Sequence, residues 1–100
     1  MFTVDGVNYT LKYNTKKVET IETITKTSVV GEITKNNGIL PIGALRQLFS
    51  FALVEESTNE VVKQSKAIEM FDKLIEENGL MTVNMAIIEK LRDDMGFMFR

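Results

Sequence analysis

The most apolar stretch of the chain is ILPIGALRQLFSFALV, residues 39–54. Pro41 suits the first turn of a helix, because a backbone N–H at that position would have no partner within the helix. From Ile42 to Val54 nearly every position is apolar or small, and such a helix must be covered on nearly all sides. The stretch also contains Arg46 and Gln47 and is shorter than the roughly 20 apolar residues that cross a bilayer. We therefore predict a buried central helix, covered either by the domain itself or in part by a partner.

The N-terminal residues 1–13 predict a β-hairpin. Asp5-Gly6 supplies the positive φ angles that a tight hairpin turn requires. After this turn, Tyr9, Leu11 and Tyr13 alternate with polar residues, so one face of the second strand is apolar. Because a lone hairpin is only marginally stable in water, we expect later helices to cover that face.

A first helix is predicted after the hairpin, with Asn14 or Thr15 as its N-cap. Val18 and Ile21 recur there at helical spacing, although the β-branched residues of 18–30 lower helix propensity and favour a strand. The glycines and asparagines that follow interrupt the pattern, so we predict a connector over residues 28–40 with at most one loose turn.

Two amphipathic helices are predicted in the second half of the chain, after a polar break at residues 55–59. The first covers residues 60–78, and Gly79 is placed to end it in a left-handed turn. Thr82 then caps the last helix, which ends at Gly96. The predicted core stripe of this helix is Val83, Ala86, Ile87, Leu91 and Met95.

Length and composition agree with this small, mixed architecture. One hundred residues support one hydrophobic core, and 44% hydrophobic with 26% charged residues is typical of a globular chain. The predicted fold class is α+β, mainly helical, in a single domain of residues 1–100. A β-hairpin over residues 1–13 is followed by about four packed α-helices over residues 14–100.

The residue types of most catalytic and metal-binding chemistry are missing from the sequence. It contains no cysteine and no histidine, which excludes disulfides, thiolate nucleophiles and imidazole acid–base catalysis. The paired acids Glu55-Glu56, Glu76-Glu77 and Asp93-Asp94 are adjacent in sequence, and adjacent side chains on a helix point about 100° apart. We interpret them as solvated surface and predict no catalytic residue, no cofactor and no metal site. An enzyme of this sequence would need carboxylates or lysines gathered in a pocket.

The charge balance argues against nucleic acid as a partner. Twelve basic against fourteen acidic residues give a net charge of -2. A small transcriptional regulator stays the alternative hypothesis, because the helices between Glu60 and Asp94 are joined by a short turn at Gly79. Since Met1 to Asp5 resemble no targeting signal, we expect the protein in the cytoplasm, without a membrane partner.

Large apolar side chains are concentrated in the central helix and near the C-terminus. Methionines and aromatic residues suit a surface that binds a partner, and they equally fill cores. The helices at 42–54 and 83–95 offer more apolar groups than one hundred residues easily bury, so we predict a partner or self-association. The predicted partner-binding residues are Leu48, Phe49, Phe51, Met85, Phe97, Met98 and Phe99.

The layout resembles a known protein family over most of the chain. The resemblance rests on the opening Val4–Asn14, on the apolar middle helix after Asn37-Gly38-Ile39-Leu40, and on Ile88-Glu89-Lys90-Leu91 followed by Gly96-Phe97. These features resemble the small tail assembly chaperones of long-tailed bacteriophages, in the form found in phages and prophages of low-GC Gram-positive bacteria.

The resemblance implies a role without catalysis. Such proteins coat the long, apolar, helical tape measure protein, keep it soluble, and leave as tail tube subunits polymerise around it. Many are made in a short and a frameshift-extended form, and the chain ending at Arg100 would be the short form. The implied partners are the tape measure protein, the tail tube protein, the frameshift-extended form and further copies of the chain in a homo-oligomer.

Overall fold

The computed structural model describes residues 2–35 and 37–99, so Met1, Arg100 and Asn36 of the predicted connector lie outside the described residues. The elements, in chain order, are β1 (Phe2–Val4), β2 (Val7–Leu11), α1 (Thr15–Thr25), α2 (Val29–Lys35), α3 (Ile42–Ala52), β3 (Leu53–Glu55), α4 (Gln64–Asn78) and α5 (Leu80–Met95). A short 3-10 turn, Gly96–Phe99, follows α5. The prediction of an α+β, mainly helical fold with an N-terminal hairpin is confirmed.

Helix α3 lies at the centre of the fold, as its apolar sequence predicts. Leu45, Leu48 and Ala52 are completely buried. Helices α1, α4 and α5 and strand β2 all contact α3. The rest of the chain therefore covers most of this helix, and only its first turn, at Ile42, stays exposed.

The sheet has three antiparallel strands in the order β1-β2-β3, one more than the predicted hairpin. Leu53 and Val54 were expected to be the last residues of the central helix, and that expectation is wrong because they belong to β3. The helix ends at Ala52 because Leu53 turns to an extended backbone and pairs with Leu11 of β2. An unbroken apolar run does not reveal this change, since a buried strand and a buried helix end have the same composition.

Residues 29–35 form helix α2, so the prediction of a connector there is also wrong. Val29 and Ile33 are buried on one side of this short helix. Its first turn is capped from outside, because the Glu22 carboxylate accepts the Val29 N–H at 2.7 Å. The Ser28 hydroxyl accepts the N–H of Gly31 at 3.1 Å. The helix depends on these tertiary and capping contacts, since Gly31 weakens its intrinsic propensity.

The bounds of the other helices follow the prediction in part. Asn14 caps α1, its side chain accepting the Lys17 N–H at 2.8 Å. Helix α4 begins at Gln64, four residues after the predicted start, because the preceding Val62 N–H donates to the Leu53 carbonyl of β3. Helix α5 begins at Leu80, so Thr82 is not its cap.

Hydrogen bonds made by Tyr13, two residues after β2, connect the end of this strand to α3 and α5. The Tyr13 backbone N–H donates to the Asp94 carboxylate at 3.0 Å, and the same carboxylate pairs with the Lys90 ammonium at 2.9 Å. The Tyr13 hydroxyl donates to the Leu48 carbonyl at 2.9 Å. Burial of the phenol, and secondly the negative charge of Asp94, raise the pKa of Tyr13 above its ordinary value.

We predict that Tyr13 makes the free energy of unfolding fall at alkaline pH. In the unfolded chain this phenol ionises near pH 10, whereas in the folded chain it stays protonated. The contribution of Tyr13 to the free energy of unfolding is therefore intact below pH 10 and is lost as the pH rises further. Over the range from pH 9 to pH 11, urea unfolding should show the wild type losing about 1.4 kcal/mol more of its free energy of unfolding than Tyr13→Phe loses. Parallel pH profiles of the two proteins would contradict this role.

Candidate functional site

The predicted partner-binding residues of α3 lie inside the protein. Leu48 is fully buried, and Phe49 packs between Phe2 and Phe71 with ring centroids 5.9 and 5.6 Å apart. Phe51 is half-buried and packs against the core. A partner cannot reach Leu48 without displacing the elements that cover α3, so this part of the predicted surface is core in the folded chain.

The predicted residues near the C-terminus are more accessible, but the structure does not bring them to one place. Phe97 is 52% exposed, whereas Met98 and Phe99 are half-buried against the core. The Arg92 guanidinium lies 5.5 Å from the centre of the Phe99 ring. Met85 is 62% exposed, but it stands about 18 Å from Phe97 along the helix axis, at 1.5 Å per residue.

Met85 is one of three exposed apolar side chains on or beside α5, Met81, Met85 and Ile39, which we together call the methionine face. Met81 is 53% exposed and stands one helical turn before Met85 on α5. The same helix turns Ile87 and Leu91 into the core. Helix α5 is therefore apolar on its buried side and on part of its outer side.

Ile39 is held beside α5 by the buried amide of Asn84. The amide nitrogen donates to the Gly38 carbonyl at 2.7 Å, and the amide oxygen accepts the Leu40 N–H at 3.0 Å. Both backbone neighbours of Ile39 are thus fixed to the turn of α5 between Met81 and Met85. Ile39 itself is 41% exposed.

Sequence reasoning missed Ile39 and did not single out Met81 as a site residue, although two signals were present. Met81 and Met85 are four residues apart and do not belong to the predicted core stripe of the last helix. Asn84 is a polar residue next to that stripe, and a buried polar residue needs a partner. The segment that supplies this partner is distant in sequence, so pattern alone could not identify it.

A second apolar feature is a groove between the sheet and the α4–α5 hairpin, which we call the sheet groove. It is an open cavity of about 170 Å³. Its lining includes Phe2, Leu11 and Phe49 on one side and Val83, Ala86 and Ile87 of α5 on the other. Phe49 contributes to this lining although it is almost fully buried. The hairpin face that was predicted to need covering is covered, since Tyr9, Leu11 and Tyr13 are all buried.

Residues 2–35 and 37–99 lack two further kinds of feature. No helix in them is both long and apolar enough to cross a membrane. No three acidic side chains in these ranges are grouped in a way that could hold a metal ion.

Comparisons of the chain with models of known protein families, with curated protein sequences and with solved structures gave no match.

We predict that Asn84→Ala lowers the free energy of unfolding by about 2–6 kcal/mol, because two backbone groups lose their partner at about 1–3 kcal/mol each. Asn78→Ala is the matched control, since that exposed amide donates only to the Leu74 carbonyl of its own helix. Urea unfolding measures both variants. A loss below about 0.5 kcal/mol for Asn84→Ala would show that this amide does not hold the Ile39 segment.

Proposed function

We propose that this protein is a non-enzymatic tail assembly chaperone of a long-tailed bacteriophage. It binds the tape measure protein through the methionine face and keeps that partner soluble in the host cytoplasm while the tail tube assembles. The observation that carries the proposal is the exposure of Met81 and Met85 one turn apart on a helix whose other side is core.

The methionine face has the properties that binding to a long apolar helix requires. Methionine side chains are flexible and polarisable, so one surface can adapt to many different apolar sequences along a partner. Ile39 adds a rigid β-branched side chain next to them. An amphipathic helix laid across this face would bury its apolar stripe against all three residues.

Binding at many sites along one partner would compensate for the small area of a single contact. Copies that bind neighbouring segments of one tape measure protein gain affinity from high local concentration. Contacts between such copies, or with a frameshift-extended form, give the homo-oligomer that the resemblance implies. The tail tube protein could then displace the chaperone copies one after another, because each copy makes only a weak contact.

The alternative of a helix-turn-helix regulator gains no observation in its favour. Gly79 alone separates α4 from α5, whereas a helix-turn-helix uses a turn of about three or four residues. The outer side of α5 also carries Glu89 and Asp93, which would face phosphates unfavourably.

The proposal is tested by co-expressing the chain with the tape measure protein of the same phage and measuring how much of the partner is captured in soluble form. We expect Met81→Gln with Met85→Gln to weaken capture at least about tenfold, because two central apolar contacts are lost. The free energy of unfolding should change by less than about 0.5 kcal/mol, since both side chains are exposed.

Ile24→Gln with Val61→Gln is the matched control, because it removes two exposed apolar side chains that lie outside the methionine face. Capture should persist in this variant. Equal capture by both double variants would reject the methionine face as the binding surface. Failure of the wild-type chain to capture the tape measure protein would reject the function itself. Phe97→Gln tests the predicted C-terminal residue separately.

A further inference from the structure

The sheet groove continues into an acidic shelf along α5. Ala86 lines both the groove and a second, shallow cavity, which is bordered by Glu89, Lys90 and Asp93 of α5 and by Thr10 of β2. The apolar cavity and the charged shelf are therefore parts of one continuous surface.

The shelf is electrostatically negative at its exposed groups. Glu89 and Asp93 are exposed, and neither has a hydrogen bond or ion pair within the part of the chain that the structure describes. Lys90 is the cation of the shelf, and its ammonium is already paired with Asp94 at 2.9 Å. An incoming cation would thus meet two carboxylates that have no cation of their own there.

The size of the groove fits one large apolar side chain. A cavity of about 150 Å³ lined by apolar side chains is enough to hold benzene. The sheet groove, at about 170 Å³ and lined mainly by aromatic and aliphatic groups, is of that size. Leucine, methionine or phenylalanine from a partner would each fill it.

The spacing between the groove and the two carboxylates along α5 predicts where a partner helix should have its positive charges. Glu89 and Asp93 follow Ala86 by about 5 and 10 Å along the helix axis, at 1.5 Å per residue. A helix of pitch 5.4 Å that lies along α5 repeats its side chains at nearly the same intervals. Its apolar anchor and its charged residues would then be one and two turns apart.

We propose that the sheet groove and its acidic shelf bind an amphipathic helix of a partner protein. This helix inserts one large apolar side chain beside Ala86 and Ile87, and it places Lys or Arg one and two turns away, opposite Glu89 and Asp93. The groove opens between α5 and the sheet, whereas Met81 and Met85 are on the outer side of α5, where Glu89 follows Met85 by one turn. The proposal does not depend on the partner being a tape measure protein.

Two synthetic peptides of fifteen residues test the proposal directly. Both are alanine-based helices with leucines flanking a central phenylalanine on one face. One has lysine four and seven positions on either side of the phenylalanine, so that both orientations along α5 are tested, and the other has glutamate at the same positions. Fluorescence anisotropy at low salt should give a dissociation constant about fivefold or more lower for the lysine peptide, the effect of two exposed ion pairs. In 1 M NaCl the two affinities should converge.

Variants of the shelf and of the groove separate the two parts of the site. Glu89→Gln with Asp93→Asn should abolish the preference for the lysine peptide, whereas Glu19→Gln with Glu60→Gln, which removes the same charge elsewhere, should keep it. Ala86→Phe, which fills the groove, should weaken both peptides, with circular dichroism confirming that it folds.

Methyl NMR of the wild type locates the bound peptide independently of any variant. The methyl groups of Ile87 and Leu11, which line the groove, should shift on titration, whereas those of Ile33 in α2 should not. Equal affinity of the two peptides at low salt would overturn the proposal, as would shifts confined to Met81 and Met85. Unchanged binding by folded Ala86→Phe would also overturn it.

Discussion

Helix α3 has large apolar side chains on most of its circumference, and its neighbours are placed so that water is kept from them. Leu45, Leu48 and Phe49 are buried, and burial of each such side chain stabilises the fold by roughly 1.5–3 kcal/mol. α1, α4 and α5 each cover one side, and β2 brings Leu11. A small domain buries little other apolar surface. The fold would therefore lose substantial stability if any of these elements moved away from α3.

Local signals in the sequence predicted those parts of the fold that local chemistry determines. Asp5-Gly6 makes the hairpin turn with positive φ at both residues, and Asn14 caps α1 through its side chain. Strand β3 could not be predicted in this way, because its existence depends on Leu53 pairing with Leu11, forty-two residues earlier in the chain. Helix α2 likewise depends on a cap from Glu22 in the preceding helix.

The candidate site shows the same division between local and tertiary information. Met85 could be predicted from the sequence as a partner-binding residue. Its helix already has many core positions, so a further flexible apolar side chain indicates more apolar groups than the core can bury. Leu48 and Phe49 have equally apolar neighbours, and only the positions of α1, α4 and β1 determine that they are covered. Ile39 is part of the surface because Asn84, forty-five residues later, holds its backbone.

The central claim is that the methionine face of α5 binds an apolar helical partner while the core stays intact. The most direct measurement is a ¹³C-methyl-methionine NMR spectrum recorded as tape measure protein is added. Met70 and Met95 are buried and serve as internal references for the core, whereas Met81 and Met85 are exposed. We predict that the methyl signals of Met81 and Met85 shift or broaden and that those of Met70 and Met95 do not. Unchanged signals from Met81 and Met85, or changes dominated by Met70 and Met95, would contradict the account.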